Sequence, residues 1–327
     1  MPHSARLARL CRLVEMARNP TQANRNDPEP VKRSRKSLFT EHRSLKALEA
    51  EALPGENLED VMRRKCRAMV AHAKCFGWSG PPFDPLELAS IHGIRVEATE
   101  DDIGGDGRIF PRRGDIVIQY RSGRMLERQR FTVCHELAHT CFSDAFEFVR
   151  HNAVADGDDP AHRKFENLCD VGAAELLMPH DEFFAELRAN AICMAHMDHL
   201  RARYVASTEA TLKRMLDCTD HPCAAVFLTD KAFKEFAGVP GKMRVQWMWK
   251  SDPFHGYLKP GTLAPTSSAA LIRANETPKP FPTRRETWWI NNNPRSWYVE
   301  AIHLPALPDV ASYPKTVALL HARLPAK

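Results

Sequence analysis

The segment RFTVCHELAHTCF, residues 130–142, contains His135, Glu136 and His139 in the order H-E-x-x-H. Residues four positions apart lie on the same face of a helix, so both imidazoles can reach one metal ion. Glu136 is rotated from His135 by about 100°. It therefore lies beside the pair, where it can meet a metal-bound water without being a ligand. The pattern predicts a helix over residues 127–142.

The other side of this helix is apolar and can pack in a core, with Cys134, Leu137, Ala138 and Cys141 on it. Such a helix also fits a simpler interpretation, in which two histidines lie on the surface of an ordinary amphipathic helix. A hydrolytic zinc site needs three protein ligands, so a third ligand on a neighbouring element decides between the two.

Candidates for that ligand occur in ENLCDVGAAELLMP, residues 166–179. The pattern predicts a second helix over residues 160–177, on which Glu166 and Asp170 share one face while Glu175 lies on another. Small residues at 172–174 favour close packing between helices. The spacing alone does not choose between Glu166 and Asp170.

Composition limits the class of protein. The chain has 327 residues, 43% hydrophobic and 27% charged, which is enough for two soluble domains. No apolar run is long enough for a transmembrane helix, so no membrane partner is expected. Arginines interrupt the first twenty residues, which argues against a secretory signal. Nine cysteines without a CxxC pair suit reduced thiols and a cytoplasmic location.

The order of elements predicts an α+β fold. Helices are expected over residues 58–76, 85–92, 181–197 and 209–216, and strands over 94–98, 107–110, 115–120, 224–230, 243–250, 286–292, 296–304 and 316–323. Alternation in MRVQWMWK, residues 243–250, indicates a half-buried strand. After Cys218 the predicted elements change from helices to strands, which places a domain boundary near residues 218–223.

The N-terminal leader is basic and lacks apolar periodicity. Lys and Arg outnumber Asp and Glu there, and the cluster KRSRK covers Lys32 to Lys36. Such a cluster can contact nucleic acid or an acidic partner. A solvated, disordered tail is the simpler interpretation, and a short basic cluster does not by itself predict a nucleic-acid partner.

Two motifs together resemble one family. RQRFTVCHELAHTCF followed by ENLCDVGAAELLMP resembles the ImmA/IrrE family of zinc metallopeptidases, whose patterns are "RxxFTxxHExxH" and "ExxANxFAxELLMP". The upstream segment PFDPLELASIHGIRV is similar to the family's "pxDPxxLAxxxGIxV". The resemblance covers residues 60–180 and implies a zincin-like domain with a small mixed sheet.

The resemblance also implies roles for residues of this chain. By position, His135, His139 and Glu166 are the metal ligands and Glu136 is the catalytic base. The family's Ala-Asn pair is Cys169-Asp170 here, so Asp170 is expected either to add negative charge near the metal or to accept a hydrogen bond from a ligand histidine from outside the metal shell. One Zn²⁺ is the implied cofactor, and Mn²⁺ or Fe²⁺ can use the same ligand types.

The remainder of the chain is assigned partly by resemblance. LRARYVASTEATLKRML, residues 200–216, is similar to a helix-turn-helix-like segment of the family, after which a GAF-like sensor domain follows. The expected domains are a leader at 1–45, a zinc metallopeptidase domain at 46–199, a helix-turn-helix-like linker at 200–220 and a β-rich, GAF-like domain at 221–327. The implied substrate is a separate XRE-type helix-turn-helix repressor, cleaved in stress response or mobile-element regulation.

Two other functions stay open. The chain can be a binding module that holds a partner or DNA without cleaving it, although the intact Glu136 argues against this. It can also be one half of a toxin–antitoxin pair. For the peptidase, the strand over residues 115–120 is predicted to be a sheet edge that pairs with an extended substrate.

Several further residues have more than one interpretation. His162, Tyr120 and Arg130 are candidates for stabilising the oxyanion, although residues of each type are more often surface or structural residues. The tryptophan pairs at 247/249 and 288/289 indicate a packed core or interface more than a ligand pocket. Cys218 and Cys223, with His221 between them, indicate isolated thiols more than a second metal site. The sequence does not define an oligomeric state.

Overall fold

The structure is a computed structural model that describes residues 42–112, 114–145, 159–276, 284–291, 293–305 and 315–322. The predicted leader and its KRSRK cluster lie almost entirely outside these residues. The chain divides into two compact units, Met1–Leu177 and Met178–Lys327. This division groups the helices after Leu177 with the C-terminal sheet. The domain limits given above stay a prediction.

The described elements follow in chain order. The first unit contains α1 (Arg43–Glu49), α2 (Leu58–Cys75), α3 (Pro85–Ile91), β1 (Arg95–Thr99), β2 (Gly107–Arg112), β3 (Asp115–Arg121), α4 (Leu126–His139) and α5 (Pro160–Leu177). The second unit contains α6 (His180–Arg188), α7 (Met194–Tyr204), α8 (Thr208–Cys218), β4 (Cys223–Thr229), β5 (Arg244–Lys250), α9 (Ala269–Glu276), β6 (Arg284–Ile290), β7 (Asn293–Leu304) and β8 (Lys315–His321). The predicted α+β class is confirmed.

The sheet of the first unit has the order β1-β3-β2, with β1 parallel and β2 antiparallel to β3. Strand β3 is therefore central, and its register partners include Val96 on one side and Phe110 on the other. The prediction that β3 is a free edge for substrate is wrong. Its backbone hydrogen bonds are already used by both neighbours, so no extended peptide can add to it.

Helices α2, α4 and α5 form the packed layer of the first unit. Asn57 and Asp60 start α2 with a reciprocal capping box, which satisfies backbone N–H groups of its first turn. Helix α5 packs against both α2 and α4. The close approach occurs at Gly172, where an added Cβ would lie 2.7 Å from the Cβ of Ala138 and 3.1 Å from the sulfur of Cys66. A glycine is thus required for this helix spacing.

The helix predicted over residues 181–197 is wrong, because the chain forms α6 and α7 with a break between them. No glycine or proline marks this break in the sequence. The sulfur of Cys193 accepts the backbone N–H of His196, and the Glu300 carboxylate accepts the N–H of Met194 at 2.7 Å. The start of α7 is therefore stabilised by a residue far away in the chain, which local sequence does not reveal.

The five strands of the second unit form an antiparallel sheet in the order β5-β4-β8-β7-β6. Strand β4 is buried along its whole length. The simple alternation predicted in residues 243–250 is wrong at one point, because Val245 and Trp247 pair with consecutive residues of β4. Gln246 is left as a bulge, so Val245 joins Met248 in the buried core while Trp247 is only half-buried.

Helices α7 and α8 pack together in the second unit, joined by a three-residue turn. Val205 ends α7 in the left-handed region at φ 50°, and the Ser207 side chain caps α8. Arg214 on α8 is buried and donates to the carbonyl of Met178. Helix α8 also packs against β4 and β5. The helix-turn-helix-like assignment and the GAF-like assignment both stay predictions.

Candidate metal centre

The two histidines of the H-E-x-x-H segment lie on the last turns of α4. Their ring centroids are 5.0 Å apart and nearly perpendicular. His139 is buried, and Phe165 of α5 packs 5.1 Å from its ring centre. The helical spacing predicted from sequence therefore places both imidazoles in one small volume.

Glu166 on α5 meets both rings at the same type of nitrogen. Its Oε2 atom lies 3.1 Å from Nε2 of His135 and 4.0 Å from Nε2 of His139. The structure thus brings together the three residues that the resemblance implied as ligands. It also distinguishes Glu166 from Asp170, which spacing alone could not do.

The remaining ring nitrogens face two consecutive residues of α5. Nδ1 of His135 lies 2.9 Å from an Asp170 carboxylate oxygen. Nδ1 of His139 lies 3.4 Å from the sulfur of Cys169, which is fully buried. The contact of Asp170 with a ligand histidine was among the predictions, whereas the position of Cys169 was not, because a thiol in a helix is usually a core residue.

Glu136 is buried beside this cluster, with 7% of its surface exposed. Strand β2 approaches it closely at Gly107. A Cβ at that position would lie 2.9 Å from Oε1 of Glu136 and 2.4 Å from the methyl group of Thr132. Only glycine leaves room there for the carboxylate, a constraint that the sequence pattern did not reveal.

Burial and neighbouring charges set the protonation of these groups. Burial alone would lower the pKa of His135, but the carboxylates of Asp170 and Glu166 outweigh it and raise the value to about 10. Burial lowers the pKa of His139 to about 3, and the positive charge of His135 adds to this. Burial raises the pKa of Glu136 to about 7. Without a metal the cluster therefore holds one cationic and one neutral imidazole, and a metal bound at Nε2 of His135 would take the place of its proton.

The three candidates for the oxyanion differ in position. Nε2 of His162 lies 3.7 Å from Oε1 of Glu166, so this side chain adjoins the cluster. Arg130 instead donates to the carbonyl of Phe83, and Tyr120 belongs to the central strand β3. His162 is the one of the three that the structure places beside a predicted ligand.

Glu175 is separate from the cluster, as its helical position predicted. It is fully buried and receives Nε of Arg67 at 3.0 Å. This pair links α5 to α2 on another face of the helix, where it has a structural role.

The donor chemistry at α4 and α5 fits a divalent transition metal. Imidazole and carboxylate are the ligands that zinc uses in hydrolytic sites. Ligand atoms of His135, His139 and Cys169 lie within 4.8 Å of one another, which is the one such group of three found among the described residues. This group does not include Glu166, whose Oε2 lies 3.1 Å from His135 and 4.0 Å from His139 and which is the fourth donor-type side chain beside it.

Other features that the sequence suggested do not form metal clusters in the described residues. Cys218 and Cys223 are buried cysteines, whereas His221 is exposed. Trp288 belongs to the buried core of the second unit, and Trp289 is 60% exposed. Both tryptophans line a cavity of about 320 Å³, so this pair is partly core and partly a pocket wall.

The fold and the site together define a class. A helix bearing H-E-x-x-H, a second helix that brings a carboxylate to both histidines, and a small mixed sheet beside them are typical of zincin-like metallopeptidase domains. A family model agrees: residues 89–216 match the peptidase M78 model, described as an IrrE N-terminal-like domain. Residues 89–216 of this chain are therefore similar to the domain that defines this peptidase family.

The fold is similar to that of a Mycobacterium tuberculosis transcriptional regulator of known structure. The match has a TM-score of 0.54 at 15% identity and covers 85% of this chain and 79% of that chain. At this identity the likeness shows a shared fold only. The search of curated proteins gave no match. Of the helices that the structure describes, none has the length and apolar character needed to cross a membrane.

Proposed function

We propose that this chain is a zinc-dependent endopeptidase whose metal is held by His135, His139 and Glu166, with Glu136 as the catalytic base. The observation that carries the proposal is the convergence of two Nε2 atoms on one oxygen of Glu166. The match to a peptidase family supports the same reaction class. Asp170 then acts from outside the metal shell by accepting from Nδ1 of His135.

Zinc bound to these residues would act as a Lewis acid that activates water and polarises the peptide carbonyl. Glu136 lies beside the ligands and is itself buried. Its carboxylate takes the proton of the attacking water and then gives it to the leaving amine. Gly107 allows the carboxylate to occupy this position, because a larger residue would meet Oε1. Mn²⁺ or Fe²⁺ could bind to the same ligands, and Glu136 would then have the same role.

The substrate is proposed to bind along β2 rather than β3. Among the described strands, β2 pairs with β3 alone, which leaves its outer edge available for an extended peptide. The first residue of β2 is Gly107, where an added Cβ would meet the Glu136 carboxylate. A peptide added to this edge would therefore pass close to the catalytic base.

The finer assignment of substrate rests on the resemblance of the two motifs to the ImmA/IrrE family. On that basis the partner is a separate XRE-type helix-turn-helix repressor, and cleavage relieves repression in stress response or mobile-element regulation. A cytoplasmic location accords with this role. The two sequence motifs and the family match support a regulatory peptidase over a general one.

The direct test compares the zinc-loaded wild-type chain with its Glu136→Gln variant. Each is incubated with a candidate repressor and, separately, with a proteome-derived peptide library, and new N-termini are counted by mass spectrometry. The variant is expected to cleave about 10²- to 10⁴-fold more slowly while it keeps its zinc, because only proton transfer is lost. Glu127→Gln, at the start of the same helix, is the matched control and should cleave normally.

Equal cleavage by wild type and Glu136→Gln would exclude Glu136 as the base. If the zinc-loaded wild type cleaves neither the repressor nor any library peptide, the proposed peptidase activity is contradicted. A binding module that holds a partner without cleaving it, including a toxin–antitoxin component, would then be the better account.

A further inference from the structure

One thiol lies behind the metal-facing side of the candidate centre. Cys169 is fully buried on α5, and its sulfur is 3.4 Å from Nδ1 of His139. We propose that Cys169 is a positioning residue that accepts the Nδ1–H of His139 and so holds Nε2 toward Glu166. This inference rests on the proposed metal site and concerns a residue to which neither family motif gives a role.

The two nitrogens of one imidazole separate the roles of its neighbours. Glu166 approaches His139 from the Nε2 side, whereas Cys169 approaches from the Nδ1 side. A ring nitrogen that binds a metal has no proton, so the other nitrogen of the neutral ring carries it. With the metal on the Glu166 side, the proton is on Nδ1 and the sulfur is the acceptor that faces it.

His135 shows the same arrangement with a different acceptor. Its Nε2 faces Glu166 and its Nδ1 faces Asp170. Two consecutive residues of α5, Cys169 and Asp170, thus receive the rear nitrogens of both histidines. Rear acceptors of this kind fix the tautomer and orientation of ligand histidines, and carboxylates or carbonyls usually supply them.

Packing around His139 opposes a flip of the imidazole ring that would exchange the positions of Nδ1 and Nε2. Phe165 covers the ring at 5.1 Å between centroids, and both Cys169 and His139 are buried. In a second possible arrangement, the thiolate of Cys169 joins the histidines as a direct ligand, and His139 then binds the metal on its Nδ1 side, away from Glu166. The two arrangements predict different spectra and different metal affinities.

The first measurement is the absorption spectrum of the cobalt(II)-loaded full-length chain. A sulfur that only accepts from Nδ1–H gives no thiolate-to-cobalt charge-transfer band, and the spectrum is that of nitrogen and oxygen ligands. A charge-transfer band in the wild type that disappears in Cys169→Ala would overturn the proposal, because it would make the thiolate a ligand.

The second measurement is the zinc dissociation constant by competition with a chromophoric chelator. Cys169→Ala is expected to weaken zinc binding by about tenfold, near the low end for rear partners of ligand histidines because sulfur is a weak acceptor. Cys169→Ser restores an acceptor and should bind zinc more tightly than the alanine variant. Cys134→Ala removes another buried thiol, on α4, and should bind zinc like the wild type.

The outcomes separate this inference from the proposed function. If the wild type binds neither zinc nor cobalt, the metal site itself is absent and both fail. If zinc binds normally and Cys169→Ala binds it as tightly as the wild type, only the positioning role is excluded. Circular dichroism of each variant checks that a loss of affinity does not reflect unfolding.

Discussion

In two buried histidines of this molecule, burial lowers the pKa of the imidazole, but the two side chains have different roles. His139 on α4 and His321 on β8 are both nearly inaccessible to water. Burial lowers the pKa of His139 to about 3 and that of His321 to about 4, so both rings are neutral near pH 7. Each has a carboxylate nearby, Glu166 at 4.0 Å and Glu300 at 3.9 Å.

The difference lies in what else converges on each ring. Around His139, a second imidazole shares the same Glu166 oxygen, and rear acceptors fix the rings. Around His321, the carboxylate of Glu300 instead accepts the backbone N–H of Met194 at the start of α7. A buried neutral imidazole is thus a ligand candidate only where other donors meet it, and elsewhere it is a packed side chain.

The largest effect expected from this comparison is zinc-dependent stabilisation confined to the first unit. At a free zinc concentration of 100 to 1,000 times the dissociation constant, the free energy of unfolding should rise by about 2.7 to 4.1 kcal/mol. Hydrogen exchange with and without a chelator measures this directly. Amides of α4 and α5 should lose protection without zinc, while those of β4 and β8 should not. Equal loss in both units would contradict a local site.

A somewhat smaller effect is expected from acid acting on the second unit. The pKa of His321 is about 4 in the fold, against about 6.5 for an exposed imidazole. Because the unfolded chain binds the proton first, this stability is complete above pH 6.5 and is lost as pH falls toward 4. The loss for the second unit should approach about 3 kcal/mol.

Urea unfolding of the second unit, followed at several pH values, measures the acid effect. His321→Gln should flatten the pH dependence between 6.5 and 4, whereas His199→Gln, at an exposed position, should not. An unchanged slope in His321→Gln would show that another group titrates, and would remove His321 from the comparison.

The smallest effect concerns the contact that brings the two site helices together. In Gly172→Ala, the new methyl group would meet Ala138 and Cys66 at 2.7 and 3.1 Å, so α4 and α5 must separate. The cost should be about 1 to 2 kcal/mol in stability, together with weaker zinc binding. Gly123→Ala meets nothing within 4 Å and is the matched control. Wild-type zinc affinity in Gly172→Ala would show that helix spacing does not control the site.

Sequence predicted the elements of the site better than its contacts. The helix over residues 160–177 appears with the predicted limits, because its apolar periodicity continues to Leu177 and Pro179 follows. The spacing of His135 and His139 likewise carries over directly to the structure. Both features depend on local geometry, which a short segment encodes.

The structural features that were not predicted from the sequence depend on contacts between distant segments. The break between α6 and α7 is stabilised by Glu300, and the central position of β3 results from pairing with both β1 and β2. The contact of Cys169 with His139 exists only because α5 packs tightly on α4. Periodicity and spacing describe one element at a time, so none of these could be predicted from them.

The most direct test of the central claim is zinc content after equilibrium dialysis of the wild type, Glu166→Ala and Asp170→Ala. The proposed site predicts about one zinc per wild-type chain, loss of zinc in Glu166→Ala, and zinc retained with lower affinity in Asp170→Ala. A wild type without stoichiometric metal, or full zinc occupancy in Glu166→Ala, would contradict a centre built from His135, His139 and Glu166.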